Sequence, residues 1–303
     1  MRPAARPTLR IFPTTLWEYP SQHYDSSNTS PPCPNPRPKR AGFEMQGSKD
    51  YVGATPGWVI WQVLQRYTRE GDTILDPMCG SGTTLDVCQD LNRRGMGFDL
   101  NPQRPEIRRA DARKIPMPDS SADFVFIDPP YSTHIDYSDD PGCIGKLDAG
   151  GEDGGEAYFD AMARVIGEIH RVLKDRRNMA LYVSDSFRKG KGPAADRFMP
   201  IGFELFGLMC RRFRPIDIIC VVRKNQKIER GNWRRAAEEG NFFLRGFNYL
   251  FLMKKEETVA KAPTKASKSK KSTKPSPSKS AGQGLPPAGT SAIMVMTMVP
   301  RPG

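Results

Sequence analysis

Short apolar runs alternate with amphipathic stretches from residue 55 to residue 254, and that alternation limits the fold more than any other feature. "DTILDP", "GMGFDL", "EIRRADARKIP", "ADFVFIDPP" and "NMALYVSDS" read as strands, the third of them weak. "TLDVCQDLNRRG" reads as a helix closed by its glycine, and "EAYFDAMARVIGEIHRVLKD" as a long helix with apolar residues at helical spacing. A helix near 200–210, then "IDIICVV" and "FNYLFLMK", complete the set. Thr55-Pro56 ahead of "GWVIWQVLQRYT" predicts a helix start, a capping hydroxyl followed by proline at the first helical position. Strands interleaved with helices dictate an α/β fold, a mostly parallel sheet with helices on both faces. Ligands of such sheets bind at the carboxyl ends of the strands.

The acids of this chain cluster at those ends. Asp76, Asp99, Asp111 and Asp128 follow four successive strands. After Asp76 comes "PMCGSGTT", where Gly80 and Gly82 sit between a strand and a helix. Glycines there admit a ligand close to the backbone and to the free N–H groups of a helix start. Neither a phosphate loop nor the dinucleotide pattern is present, because the GK[ST] ending is absent and the third glycine position holds Leu85. Asp99 stands where a carboxylate accepts both hydroxyls of a ribose, and Asp111 where one accepts an adenine amino group. Four acids facing one crevice suit a cationic ligand, such as a nucleoside bearing a sulfonium.

The fourth strand stops at Asp128-Pro129-Pro130-Tyr131. Two prolines cannot continue a central strand, since each lacks the N–H that the ladder needs. They hold Asp128 and Tyr131 on a stiff elbow at the strand end.

Composition limits the alternatives. Six cysteines form no C-x-x-C pair and only three histidines are present, which argues against a zinc site, so no metal is expected. No apolar run approaches the roughly 20 residues of a membrane span. The N-terminus is broken by prolines and has no signal-peptide core, so the protein reads as cytoplasmic and without a membrane partner. Of the net charge of +12, the segment from Lys254 onward carries ten basic residues against two acids, and residues 1–44 carry six against three. The basic character therefore belongs to the ends. Three regions result: a partly irregular N-terminal extension over 1–44, a domain over 45–255, and a Lys/Ser/Pro-rich tail over 256–303 that reads as disordered.

Together these motifs resemble the amino-methylating DNA methyltransferases, class I enzymes that use S-adenosylmethionine. "DPMCGSGTT" resembles the family's cofactor motif and "DPPY" its catalytic tetrapeptide, with the match running from Thr14 to Lys255. "TTLWEYPSQHY" and "ATPGWVIWQVL" look like the segment that packs over the methionine end of the cofactor. The resemblance implies a Rossmann-like sheet of seven strands whose last strand is antiparallel. It implies that Thr55, Asp76, Met78, Gly80, Gly82, Asp99 and Asp111 hold S-adenosylmethionine, and that Asp128, Pro129, Pro130 and Tyr131 carry catalysis.

The chemistry fits those residues. An exocyclic amine on a base has its lone pair delocalised into the ring. Asp128 and the carbonyl of Pro129 can accept both amine hydrogens and free that lone pair. The ring of Tyr131 offers a stacking face to a base taken out of the duplex, a task that does not need its hydroxyl. In the family an aspartate at this place goes more often with adenine N6, and serine with cytosine N4.

Arg211, Arg223, Lys224, Arg234, Arg235 and Arg245, interleaved with Trp233 and two phenylalanines, suit a nucleic-acid face. The acids from Asp136 to Glu156, with their glycines, read as a mobile or solvated loop. DNA is the expected partner, with a restriction or defence-system protein as the further partner class. Short insertions, or such a partner, must then supply target recognition. Three rival readings are guanosine-N2 methylation of RNA, cytosine-C5 methylation through Cys33, and a non-catalytic nucleic-acid-binding protein. The short stretch ahead of Asp76 argues against the first, the place of Pro32-Cys33 against the second, and the intact acid set against the third.

Overall fold

A computed structural model describes residues 6–37, 45–48, 50–188, 197–223 and 231–257. In chain order the elements are β1 (Leu9–Arg10), β2 (Leu16–Trp17), β3 (Thr29–Ser30), α1 (Gly57–Tyr67), β4 (Thr73–Asp76), α2 (Thr83–Asp90), β5 (Arg94–Asp99) and β6 (Arg108–Arg109). There follow β7 (Ala122–Ile127), α3 (Glu156–Val172), β8 (Leu173–Val183), β9 (Ser186–Arg188), β10 (Arg197–Met199), α4 (Ile201–Cys210), β11 (Arg214–Val222), α5 (Gly231–Glu239) and β12 (Phe247–Lys254).

The main sheet has eight strands in the order β2-β11-β12-β8-β7-β4-β5-β6. β12 runs antiparallel to both β11 and β8, and all the other pairings are parallel. The expected seven strands with a reversed last strand are present in β4–β8, β11 and β12. The eighth, β2, adds to the edge of β11 through Cys220–Leu16 and Val221–Trp17.

Strand periodicity divides the core into two layers. In β7, Phe124 and Phe126 face a layer built with α1 and α2, while Val125 and Ile127 face one built with α3 and α4. β12 repeats this, with Leu250 and Leu252 on the first face and Phe251 and Met253 on the second. Parallel strands buried on both faces explain why these runs are continuously apolar.

The N-terminal segment is part of this core. Leu9, Trp17, Tyr19, Tyr24 and Cys33 are buried in the α1 layer. Tyr24 donates its hydroxyl to Asp90 of α2 at 2.7 Å, and Arg37 pairs with the same carboxylate at 2.8 Å. Residues 7–37 are thus packed structure rather than an appendage, and "TTLWEYPSQHY" packs against α1 instead of over the crevice.

Three helix ends differ from expectation, and one is that of α3, which stops at Val172 so that Leu173–Asp175, read as helix, belongs to β8. Pro56 is the N-cap of α1, and the Thr55 hydroxyl makes no cap bond. At the end of α2 the left-handed residue is Asn92, with φ 53°, and Gly95 lies within β5. Asn takes that conformation at little cost because its short polar side chain bonds locally. The tail from residue 258 onward, and Lys224, lie outside the described residues.

Candidate active site

At the carboxyl ends of β4, β5 and β7 lies a cavity of about 850 Å³, counted out to its open mouth. Asp76, Asp99, Asp111 and Asp128 all line it, with Thr55, Met78 and Gly80. The four acids are therefore brought together as the sequence predicts.

Each has a distinct set of partners. Asp76 is buried and accepts the backbone N–H of Met78 at 3.1 Å and the hydroxyl of Thr84 at 2.5 Å. Burial drives its carboxyl up to about 7, against those two hydrogen bonds. It stitches the glycine turn to the start of α2. Asp99 accepts the N–H groups of Gly80 and Asn101, each at 2.9 Å, and burial raises it too. At Asp111 burial pushes upward, but the Arg113 guanidinium, gripping both carboxylate oxygens, holds it below the usual range. The same guanidinium bonds the carbonyl of Gly142 at 2.7 Å. Asp111 thus fastens the loop after Tyr131 as well as lining the cavity.

The turn itself needs its glycines. Gly80 has φ 50° and Gly82 φ 84°, the left-handed region that L side chains rarely adopt. A Cβ on Gly80 would stand 2.8 Å from the hydroxyl of Tyr51, which lies directly over the turn. Gly82 is the N-cap of α2.

Asp128 sits on the cavity wall between two hydroxyls. Thr55 donates to Oδ2 at 2.5 Å and Tyr131 to Oδ1 at 2.6 Å. Burial raises Asp128 to about 7, against these bonds and the nearby positive charge of Arg223. The Tyr131 hydroxyl also accepts from Asn248 Nδ2 at 3.1 Å. The hydroxyl, which the stacking role does not need, thus links Asn248 to Asp128. Pro130 lines the cavity, and its carbonyl accepts the hydroxyl of Tyr158 at 2.8 Å. Pro129 is buried behind it. Ser132 then turns the chain at φ 62°, its hydroxyl accepting the N–H of Ala149 at 2.8 Å.

The acidic loop is packed where the sequence suggested a solvated one. Cys143, Ile144 and Ala149 are buried, and Asp140 accepts the N–H of Gly142 at 2.8 Å. Its Tyr137 lines the cavity with Tyr51, their rings 6.3 Å apart. Neither tyrosine carried a sequence signal, since neither lies in a motif.

The basic residues separate. Arg223 ends β11 beside Asp128, and the Arg245 guanidinium lies 5.3 Å from the ring centre of Phe198. Arg234 and Arg235 are on α5, the latter paired with Glu239 at 2.6 Å. Arg211 caps the far end of α4, next to the start of β11, at the opposite end of the sheet from Asp128. It is not part of this site.

A family model described as DNA methylase matches residues 7–109 and 122–290, most of the chain. The chain belongs to the DNA methylase family. It is similar to the Type II methyltransferase M.HpaI of Haemophilus parainfluenzae, 32% identical over 97 residues, which is 32% of this chain and 25% of that protein. It is also similar to the Type II methyltransferase M.XycI of Xanthomonas campestris pv. cyanopsidis, 42% identical over 60 residues, 18% of this chain and 20% of that one. These matches span a quarter and a fifth of the two relatives' lengths. Among solved structures, TrmN from Thermus thermophilus aligns with TM-score 0.43 at 16% identity, over 67% of this chain and 50% of that one.

The methyl donor of the family is S-adenosylmethionine, and the cavity suits it. Four buried or part-buried acids face the space, which favours a ligand bearing ammonium and sulfonium charges. The hydroxyl of Ser81, buried in the turn and without a hydrogen-bond partner among the described residues, lines the same wall. Among the described residues no cluster of histidine, cysteine and acid is arranged to hold a metal ion.

Proposed function

We propose that this protein transfers a methyl group from S-adenosylmethionine to an exocyclic amine of a base in DNA, adenine N6 in preference to cytosine N4. The observation that carries this reading is Asp128, fixed by two hydroxyls at the end of β7, in one cavity with Asp76 and Asp99. Asp99 suits the cofactor ribose, and the glycine turn offers its backbone to the methionine end. When bound, the cofactor supplies an electrophilic methyl on a positive sulfur.

The protein's own part is to prepare the amine. Each Asp128 oxygen accepts one hydroxyl and keeps a second lone pair for an amine hydrogen. Accepting those hydrogens draws the nitrogen toward tetrahedral geometry and frees its lone pair. The amine releases a proton as it gains the methyl. A carboxyl raised to about 7 is matched to hold that proton near neutral pH. Tyr131 presents a ring fixed in place by its hydroxyl, a platform on which the extruded base can stack.

The nucleic-acid face belongs at the same end of the sheet. Phe198, Phe203, Phe243 and Phe247 are all exposed there, close to Arg223 and Arg245. Phe203 and Phe247 each pack edge-on against Tyr249, with centroids 5.5 and 5.1 Å away. Exposed aromatics beside arginines suit stacked bases and phosphates. The test is incubation with labelled S-adenosylmethionine and duplex DNA, then mass analysis of the nucleosides. Methyl on adenine N6 supports the reading, methyl on cytosine N4 changes the base, and label absent from DNA overturns it.

A further inference from the structure

β12 reads Phe247-Asn248-Tyr249-Leu250-Phe251-Leu252. Asn248 shares a face with Leu250 and Leu252, which are buried in the α1 layer, and is itself only 3% exposed. An apolar residue would fill that row at less desolvation cost. The backbone of Asn248 pairs with Val221 of β11, and its neighbour Tyr249 begins the run along β8. Its Nδ2 donates to the Tyr131 hydroxyl at 3.1 Å, and that hydroxyl donates to Asp128 at 2.6 Å. The direction of the chain is set by chemistry. A phenol has one hydrogen, and an ionised Asp128 can only accept, so in that state the amide must present its nitrogen. The amide oxygen is then buried with no partner among the described residues. A buried amide placed in an apolar row, with one atom unsatisfied, is poor packing and has to be explained by its other atom.

We infer that Asn248 is a positioning residue for methyl transfer, acting through the Tyr131 hydroxyl to fix and polarise Asp128. A donor on the phenol oxygen strengthens the bond that the phenol makes in turn, because successive hydrogen bonds polarise one another. The carboxylate is thereby held in its ionised form with its orientation set. Asp128 is also faced by Thr55 ahead of α1, Asp76 at the end of β4, Tyr51 and Tyr137 across the cavity, Tyr158 on α3, Tyr182 on β8 and Arg223 at the end of β11. All of these remain unchanged when Asn248 is substituted, so a shift in Asp128 reports the relay.

The inference rests on the proposed amine methylation, and the experiment separates the two. Asn248→Leu keeps the branched outline, removes the donor and removes the unsatisfied oxygen. Asn248→Ser keeps a donor but leaves a gap. A relay predicts that the leucine protein melts close to the wild-type temperature yet transfers methyl about 2- to 10-fold more slowly, the scale of a lost hydrogen bond between neutral groups. The serine protein should melt lower and keep more of the rate. The affinity for S-adenosylmethionine, by calorimetry, should be the same in all three. In a Tyr131→Phe background Asn248→Leu should have no further effect on rate. In the cofactor-free protein, carboxyl carbon NMR should show Asp128 titrating at higher pH in Asn248→Leu than in wild type. Rates that track melting temperature, or a full loss repeated in the Tyr131→Phe background, would overturn the relay. A wild-type protein that methylates no amine would overturn the proposed function instead, and the NMR titration would still decide the relay.

Discussion

Thr55 Oγ1 lies 2.5 Å from Asp128 Oδ2, a bond that spans 73 positions of sequence and joins the entrance of α1 to the exit of β7. Pro56 takes over as the helix cap, so the threonine hydroxyl is released for this contact. The residue that looked like local helix punctuation is instead half of the grip on the candidate catalytic carboxylate.

Thr55→Val tests that grip. Valine keeps the shape and deletes the donor. Loss of a hydrogen bond that lowers the Asp128 carboxyl sends it further up. The acid limb of the rate profile should therefore move to higher pH, and transfer at pH 7 should fall by about tenfold, the scale of one hydrogen bond to a charged group. Cofactor affinity should stay within a few-fold of wild type. A large loss of cofactor affinity would instead assign Thr55 to the cofactor.

Asp99 and Asp128 should fail differently. Asp99→Asn has a single acceptor oxygen, so it keeps one of the two bonds from the Gly80 and Asn101 N–H groups and weakens the grip on ribose hydroxyls. The dissociation constant for S-adenosylmethionine, measured without DNA, should rise. Asp128→Ala should leave that constant close to wild type while transfer falls by on the order of 10²–10³, as when a preorganised hydrogen-bonding group is lost. An Asp128→Ala protein that methylated DNA at the wild-type rate would remove the "DPPY" segment from the mechanism.

The main strands from β4 onward in chain order, the helices α1 to α4 and the gathering of four acids at one end were legible in the sequence. They rest on local periodicity and on prolines and glycines that act where they stand. What was not legible depends mostly on contacts distant in sequence. Asp111 looked open to a ligand; its clamp, Arg113, is only two positions on, but that guanidinium is held in turn by the carbonyl of Gly142, 29 positions away. Arg211 fell within one basic stretch with Arg245, yet β11 carries the chain from one end of the sheet to the other between them. Asn248 did leave a trace, a lone amide in an apolar strand. Its partner, Tyr131, lies 117 positions earlier and no periodicity links the two.

The aromatic face should be separable from the cavity. Phe203→Ser and Phe247→Ser remove exposed rings and should spare the melting temperature and cofactor affinity. Binding to DNA should weaken, since a stacked base contributes about 1–3 kcal/mol. Arg245→Ala should weaken binding and reduce the slope of affinity against salt by about one unit, the mark of a phosphate contact. Arg211→Ala, at the far end of the sheet, should change neither. Equal losses for Arg211 and Arg245 would move the nucleic-acid face elsewhere.

The raised carboxyl at Asp128 also has a consequence for stability. Its value moves from 3.8 to about 7 on folding. Between those values the folded protein holds a proton that the unfolded chain has released. Stability therefore falls as pH rises through this window, by up to about 1.4 kcal/mol per pH unit, and levels off above about 7. Asp76, shifted to about 7, adds a change of the same sign. His23 and His170, both lowered by burial, act oppositely below their ordinary 6.5. A comparison of wild type with Asp128→Asn cancels those shared groups. At pH 8 the asparagine protein should be the more stable, because it avoids the buried charge. At pH 5, where Asp128 is protonated in the folded wild type, the gap should close. Chemical denaturation of both proteins at the two pH values measures it, and a gap that stayed the same from pH 8 to pH 5 would mean that Asp128 is ionised well below neutrality.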